Sequence, residues 1–123
     1  MLSATHDRAY QDFLTLLTEF GELSVGRKNK EDLARLMRGF NDLKTHLEAN
    51  IVLLDSQNKE PAIASRWQSV HTEIVREYKL LSTDMLFLAS ARQQTTQVKR
   101  IKSINNRLTK LIGYCQIMLK DKN

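Results

Sequence analysis

Three histidines, one cysteine and a pair of glutamates one helical turn apart are the residues whose types could support chemistry in this 123-residue chain. His6, His46 and His71 could ligate a metal only if they converged with further donors. Neither Glu-x-x-His nor His-Glu-x-x-His occurs, so the usual bundle and helix metal patterns are missing. His71 and Glu73 stand two apart and point to different sides of a helix. The three histidines therefore read as surface or boundary residues. Cys115 could act as a nucleophile, but that needs a neighbouring base and a positive, partly exposed setting. It falls on an apolar stripe and reads as a small core residue. Glu73 and Glu77 could work as paired carboxylates in acid–base catalysis. Arg66, Arg76 and Lys79 share their segment, so surface ion pairing is the simpler expectation. Gly21, Gly26, Gly39 and Gly113 are isolated from one another and form no phosphate-binding loop. The residues point to no catalytic site, no metal and no cofactor, and the expectation is a protein that is not an enzyme.

The elements that carry these residues read as four helices. Apolar residues at three- and four-residue spacing predict the first over about 5–23, with Tyr10, Phe13, Leu14, Leu17 and Phe20 inward. Gly26 and Asn29 break the pattern in a loop that starts at Ser24, and Asn29 is an expected N-cap. The second helix is expected over 30–54, carrying Leu33, Leu36, Met37, Phe40, Leu43, Leu47, Ile51 and Leu54 on one face. Asp55 to Lys59 reads as a polar turn. Pro61 suits the first turn of a third helix over 61–91, whose stripe is Trp67, Val70, Ile74, Tyr78, Leu81, Met85 and Leu88. Thr95 or Thr96 could cap a fourth helix over 96–119, with Val98, Ile101, Asn105, Leu108, Ile112, Cys115 and Leu119 buried. Short connections place consecutive helices antiparallel. The expected fold is all-α, a single-domain up-down-up-down four-helix bundle.

One proline and four glycines leave little turn chemistry for a sheet, and 123 residues suffice for a core without staples. A lone cysteine, the absence of a recognisable leader and the absence of a long apolar run predict a cytoplasmic protein with no membrane span. Charge is unevenly placed. Residues 1–60 hold eight Lys/Arg and ten Asp/Glu, whereas residues 61–123 hold eleven and four. A basic second half favours acidic partners.

Two features suggest where such a partner would bind. At about 100° per residue Leu80 and Phe87, seven residues apart, fall on roughly the opposite side of the third helix from its apolar stripe, so they form a second patch that something else must cover. Lys99, Lys102, Lys110 and Lys120 lie on the face of the fourth helix away from its apolar stripe, Arg100 and Arg107 lie on its flank, and Tyr114 is expected to project on the same outer side one turn beyond Lys110; Arg92, just before the helix, is counted with them. Arg and aromatic residues on one exposed face are common interface anchors.

A resemblance runs through the second half of the chain. Trp67-Gln68-Ser69, Thr72-Glu73-Ile74, Lys79-Leu80-Leu81, Asp84-Met85-Leu86-Phe87-Leu88, Ala91-Arg92-Gln93, Arg107-Leu108, Leu111-Ile112 and Tyr114-Cys115 resemble the PatD family, small cyanobacterial proteins named for control of heterocyst frequency. The similarity covers roughly residues 61–119, and the first half matches only in length and helical pattern. The resemblance implies a non-enzymatic regulator tied to cell division through the tubulin-like protein FtsZ, whose assembly it would influence. It transfers no binding residues, so the surface named above is inferred from this chain alone. Two alternatives stand beside it. One is a basic helical protein that binds nucleic acid, weakened by the lack of a helix-turn-helix spacing or an aromatic platform. The other is a homodimer in which Leu80 and Phe87 meet their copies.

Overall fold

The computed structural model describes residues 4–25, 30–52, 54 and 60–120. They form four helices: α1 (Ala4–Val25), α2 (Lys30–Asn50), α3 (Pro61–Ser90) and α4 (Gln94–Lys120). The expected Asn29 cap, the Gly26 break and the turn over 55–59 lie outside the described residues.

The first three helices bury most of the stripe that their spacing dictates, with Leu14, Leu33, Met37, Phe40, Leu54 and Val70 half-buried at the edges. Tyr10, Phe13, Leu17 and Phe20 of α1 and Leu36, Leu43 and Leu47 of α2 are all buried. They meet Trp67, Ile74, Tyr78, Leu81, Met85 and Leu88 of α3 in one continuous core. The closest backbone approaches are α3 on α4, α4 on α1 and α1 on α2. Chain direction alternates. Ala9 near the start of α1 meets His46 near the end of α2. Ser24 at the end of α1 meets Asn105 in the first half of α4. Asp84 and Glu77 of α3 meet Arg100 and Arg107 of α4 in reversed order. The result is a four-helix bundle. Its α2–α3 side is bridged by side chains, with the Phe40 and Tyr78 rings 6.2 Å apart and the Tyr78 hydroxyl 3.2 Å from Glu48.

Several boundaries differ from the sequence expectation. Ser24 and Val25 are helical, since Ser24 is buried and donates to Asn105 Oδ1 at 2.8 Å. α2 stops at Asn50 rather than 54. The Ile51 and Val52 amides both reach the Leu47 carbonyl at 2.9 Å, a widened last turn that keeps Ile51 buried. Pro61 occupies the first turn of α3 as expected, with the first helical bond running from Ala64 N–H to the Glu60 carbonyl at 2.8 Å. α3 ends at Ser90, and Ala91 is already extended. α4 begins at Gln94, so Thr95 and Thr96 are inside the helix and do not cap it.

The largest correction concerns which face of α4 is inside. Its fully buried residues are Ile104, Leu108, Leu111, Cys115 and Met118. Val98 is 59 % exposed, and Ile101, Asn105, Ile112 and Leu119 are half-buried edges. The helix is turned toward α3 because two forces act on the same side. The Ile104–Leu111–Met118 row is apolar, and Arg100 and Arg107 beside it find acidic partners on α3.

Candidate interaction surface

Among the described residues, ion pairs between helices gather on the α3–α4 side of the bundle. Glu77 and Asp84 are two turns apart on α3 and therefore in line. Both are buried, Glu77 to 1 % exposure, where ordinary surface pairing would leave it open. A buried carboxylate needs partners, and α4 supplies them. Arg107 Nη1 lies 3.3 Å from Glu77 Oε2 and its Nε 3.5 Å from Asp84 Oδ2. Arg100 Nη1 lies 3.4 Å from Asp84 Oδ1, and Ser103 Oγ donates to Asp84 Oδ2 at 2.7 Å. Lys110 Nζ and Arg76 Nη1 approach Glu77 Oε1 at 3.7 and 3.8 Å. Arg76 also holds the more exposed Glu73 at 3.2 Å.

This arrangement sorts the expected surface residues into two groups. Arg100, Arg107 and Lys110 are partly spent on acids of the same molecule. Arg92, Lys99 and Lys102 are exposed and have no ion-pair partner among the described residues. Phe87 is 49 % exposed and stands beside α4, where the Arg100 guanidinium covers its ring at 4.3 Å. It is not on the far side of α3 as the helix angle suggested. Leu80 is half-buried and lines a shallow groove with Val52, His71 and Val75. Tyr114 is half-buried against the core and does not project outward. Leu86, 73 % exposed, belongs to neither apolar row of α3, so no spacing signal marks it in the sequence.

A second cluster joins the histidines at the other end of α3. His71 is buried, not superficial. Its ring stacks on Trp67 at 4.5 Å, and His6 stacks on the same indole at 5.9 Å. His71 Nδ1 lies 2.9 Å from the Tyr10 hydroxyl. Burial holds the His71 pKa below its ordinary value; a hydrogen bond with the Val52 backbone works the other way, and His6 adds to the lowering. A neutral ring accepts the Tyr10 hydrogen at Nδ1. Burial likewise pushes the Tyr10 hydroxyl well above the usual phenol range, with a smaller electrostatic contribution from Cys115. His46 donates from Nε2 to the Ala9 carbonyl at 3.0 Å and accepts from Asn50 at Nδ1. These rings tie helices together. Among the described residues no group of three or more His, Cys, Asp or Glu is placed to hold a metal ion.

Cys115 is fully enclosed, and burial pushes its thiol far above the ordinary range. It is a protonated core side chain, unsuited to attack. Among the described residues no helix is long and apolar enough to cross a membrane.

No family model, curated protein or solved structure matches the chain.

Proposed function

We propose that this protein is a non-enzymatic regulator that binds an acidic protein through its α3–α4 side. Of the acidic proteins it could bind, FtsZ is the proposed partner, because the second half resembles the PatD family. The supporting observation is the charge of α4, which carries six Lys or Arg and no Asp or Glu over 27 residues. Only Glu77 and Asp84 answer that charge from α3. Arg100, next to Lys99 in sequence, covers the exposed ring of Phe87. A positive surface with an aromatic anchor suits an acidic protein, for which opposite charge speeds encounter and apolar contact supplies residence.

The test is sedimentation of FtsZ polymers with GTP, with and without this protein, across a salt series. Co-pelleting or a changed polymer yield that fades with salt supports the reading. No effect at low salt rejects FtsZ as the partner.

A further inference from the structure

We infer that the outward face of α4 is a docking strip for an acidic α-helix of the protein partner. This rests on the reading above and specifies the element the partner presents. Lys99, Lys102, Asn106, Gly113, Ile117 and Lys120 recur at spacings of three, four and seven along α4. At about 100° per residue they fall in one narrow row opposite Ile104, Leu111 and Cys115. From Lys99 to Lys120 the row is about 31 Å long at 1.5 Å per residue.

Three observations on this row are independent of one another. Lys99, Lys102 and Lys120 are exposed and have no ion-pair partner among the described residues. Ile117 is 47 % exposed although α4 has a complete buried face without it. Gly113 stands in the helix interior, where glycine is the least favourable residue after proline. A Cβ at Gly113 would meet nothing within 4 Å, so packing inside the bundle does not require the glycine. Close approach of a second backbone would require it.

Charge selects the occupant. α4 already receives carboxylates at helical spacing on its other side, since Glu77 and Asp84, seven apart on α3, meet Arg107 and Arg100, seven apart on α4. The outward row offers the same helical periodicity to a second set of carboxylates. The bare backbone at Gly113 and the Ile117 side chain then give that helix an apolar seat between lysines.

The test uses the full chain and two synthetic 21-residue peptides of identical composition. One repeats Glu and Leu in heptads and is helical; the other is scrambled. Affinity is read by fluorescence anisotropy at low salt, beside a duplex DNA probe. The strip predicts that the helical peptide binds about tenfold or more tighter than the scrambled one, the loss of one well-packed anchor being about that size. Gly113→Trp, whose side chain points into open space, should abolish that preference while the circular dichroism stays helical. Lys99→Glu/Lys102→Glu should weaken both peptides. Equal binding of the two peptides, or an unchanged preference in Gly113→Trp, overturns the strip but leaves the acidic-partner reading standing. Binding of neither peptide overturns both. Duplex DNA binding tighter than the helical peptide overturns the strip in favour of a nucleic-acid surface.

Discussion

Arg107 of α4 lies between two buried carboxylates of α3, with Nη1 3.3 Å from Glu77 and Nε 3.5 Å from Asp84. One guanidinium therefore clamps positions two helical turns apart and fixes the register of α3 on α4. Buried ion pairs contribute little net stability over apolar packing, but removing one partner leaves a charge stranded. Arg107→Met should destabilise the bundle by about 2 kcal/mol, less than a fully stranded pair because Lys110 and Arg100 remain near the acids. Arg107→Met/Glu77→Leu should recover part of that loss. Urea unfolding of the three proteins checks both statements, and an unchanged midpoint in Arg107→Met would contradict the clamp.

The same geometry separates binding from folding in charge-reversal experiments. Arg100→Glu or Arg107→Glu places a carboxylate against Asp84 or Glu77 and should unfold the α3–α4 side rather than report on a partner. Lys99→Glu and Lys102→Glu meet no acid among the described residues. Surface changes of this kind should stay within about 0.5 kcal/mol of the parent stability. Thermal unfolding of the two pairs of variants should therefore diverge, and only the lysine pair is fit for partner-binding assays.

How much of this was legible in the sequence depends on which force set each residue. The stripes of α1, α2 and α3 could be read directly because one apolar face decides each helix. α4 could not, since it carries apolar residues on two adjacent rows, and the choice fell to Arg100 and Arg107 finding Asp84 and Glu77. That pairing is long-range, and no spacing within either helix announces it. The burial of His71 was hidden for the same reason, because its partners Tyr10 and His6 come from α1. Gly113 left a weaker trace: an isolated glycine in a helical pattern is visible, but the open space beside it is not.

His71 gives the bundle an acid limit. Its folded pKa is lowered by burial, with His6 adding and the Val52 backbone opposing. The unfolded chain therefore binds more protons than the folded one as pH falls through about 6.5, the free histidine value. Stability is full above that pH and declines below it. Among the described residues the titratable groups facing the ring are His6 and the neutral Tyr10 hydroxyl, and neither supplies a counter-charge to the imidazolium. Urea midpoints measured from pH 7.5 to 5.0 should fall, and His71→Gln should flatten that part of the slope at the cost of lower stability at pH 7.5. An equal slope in the variant would remove His71 as its source.

Cys115 provides a check on core integrity. Its side chain is fully buried and its thiol is held protonated by burial. Reaction with a thiol reagent should therefore be absent in the native state and complete in denaturant. Reaction in the native protein would have to follow opening of α4 from α1 and α3, at a rate independent of reagent once reagent is in excess. Fast, reagent-dependent labelling without denaturant would contradict the enclosed position.

The glycines of the helix interiors should respond to alanine in opposite ways. Glycine costs a helix roughly 1 kcal/mol relative to alanine. At Gly113 an added Cβ meets open space, so Gly113→Ala should raise stability by about that amount. At Gly39 the Cβ would stand 2.9 Å from Leu23 Cδ1 and 3.4 Å from Phe20 Cδ1. Leu23 is half-buried and can turn aside only by losing contact with the core, which offsets the gain in helix propensity. Gly39→Ala should therefore give no increase in thermal midpoint, and Gly113→Ala a clear one. The contrast separates a glycine kept for packing of α1 on α2 from one that the bundle itself does not use. If both variants gained equally, the crowding between α1 and α2 would not be real.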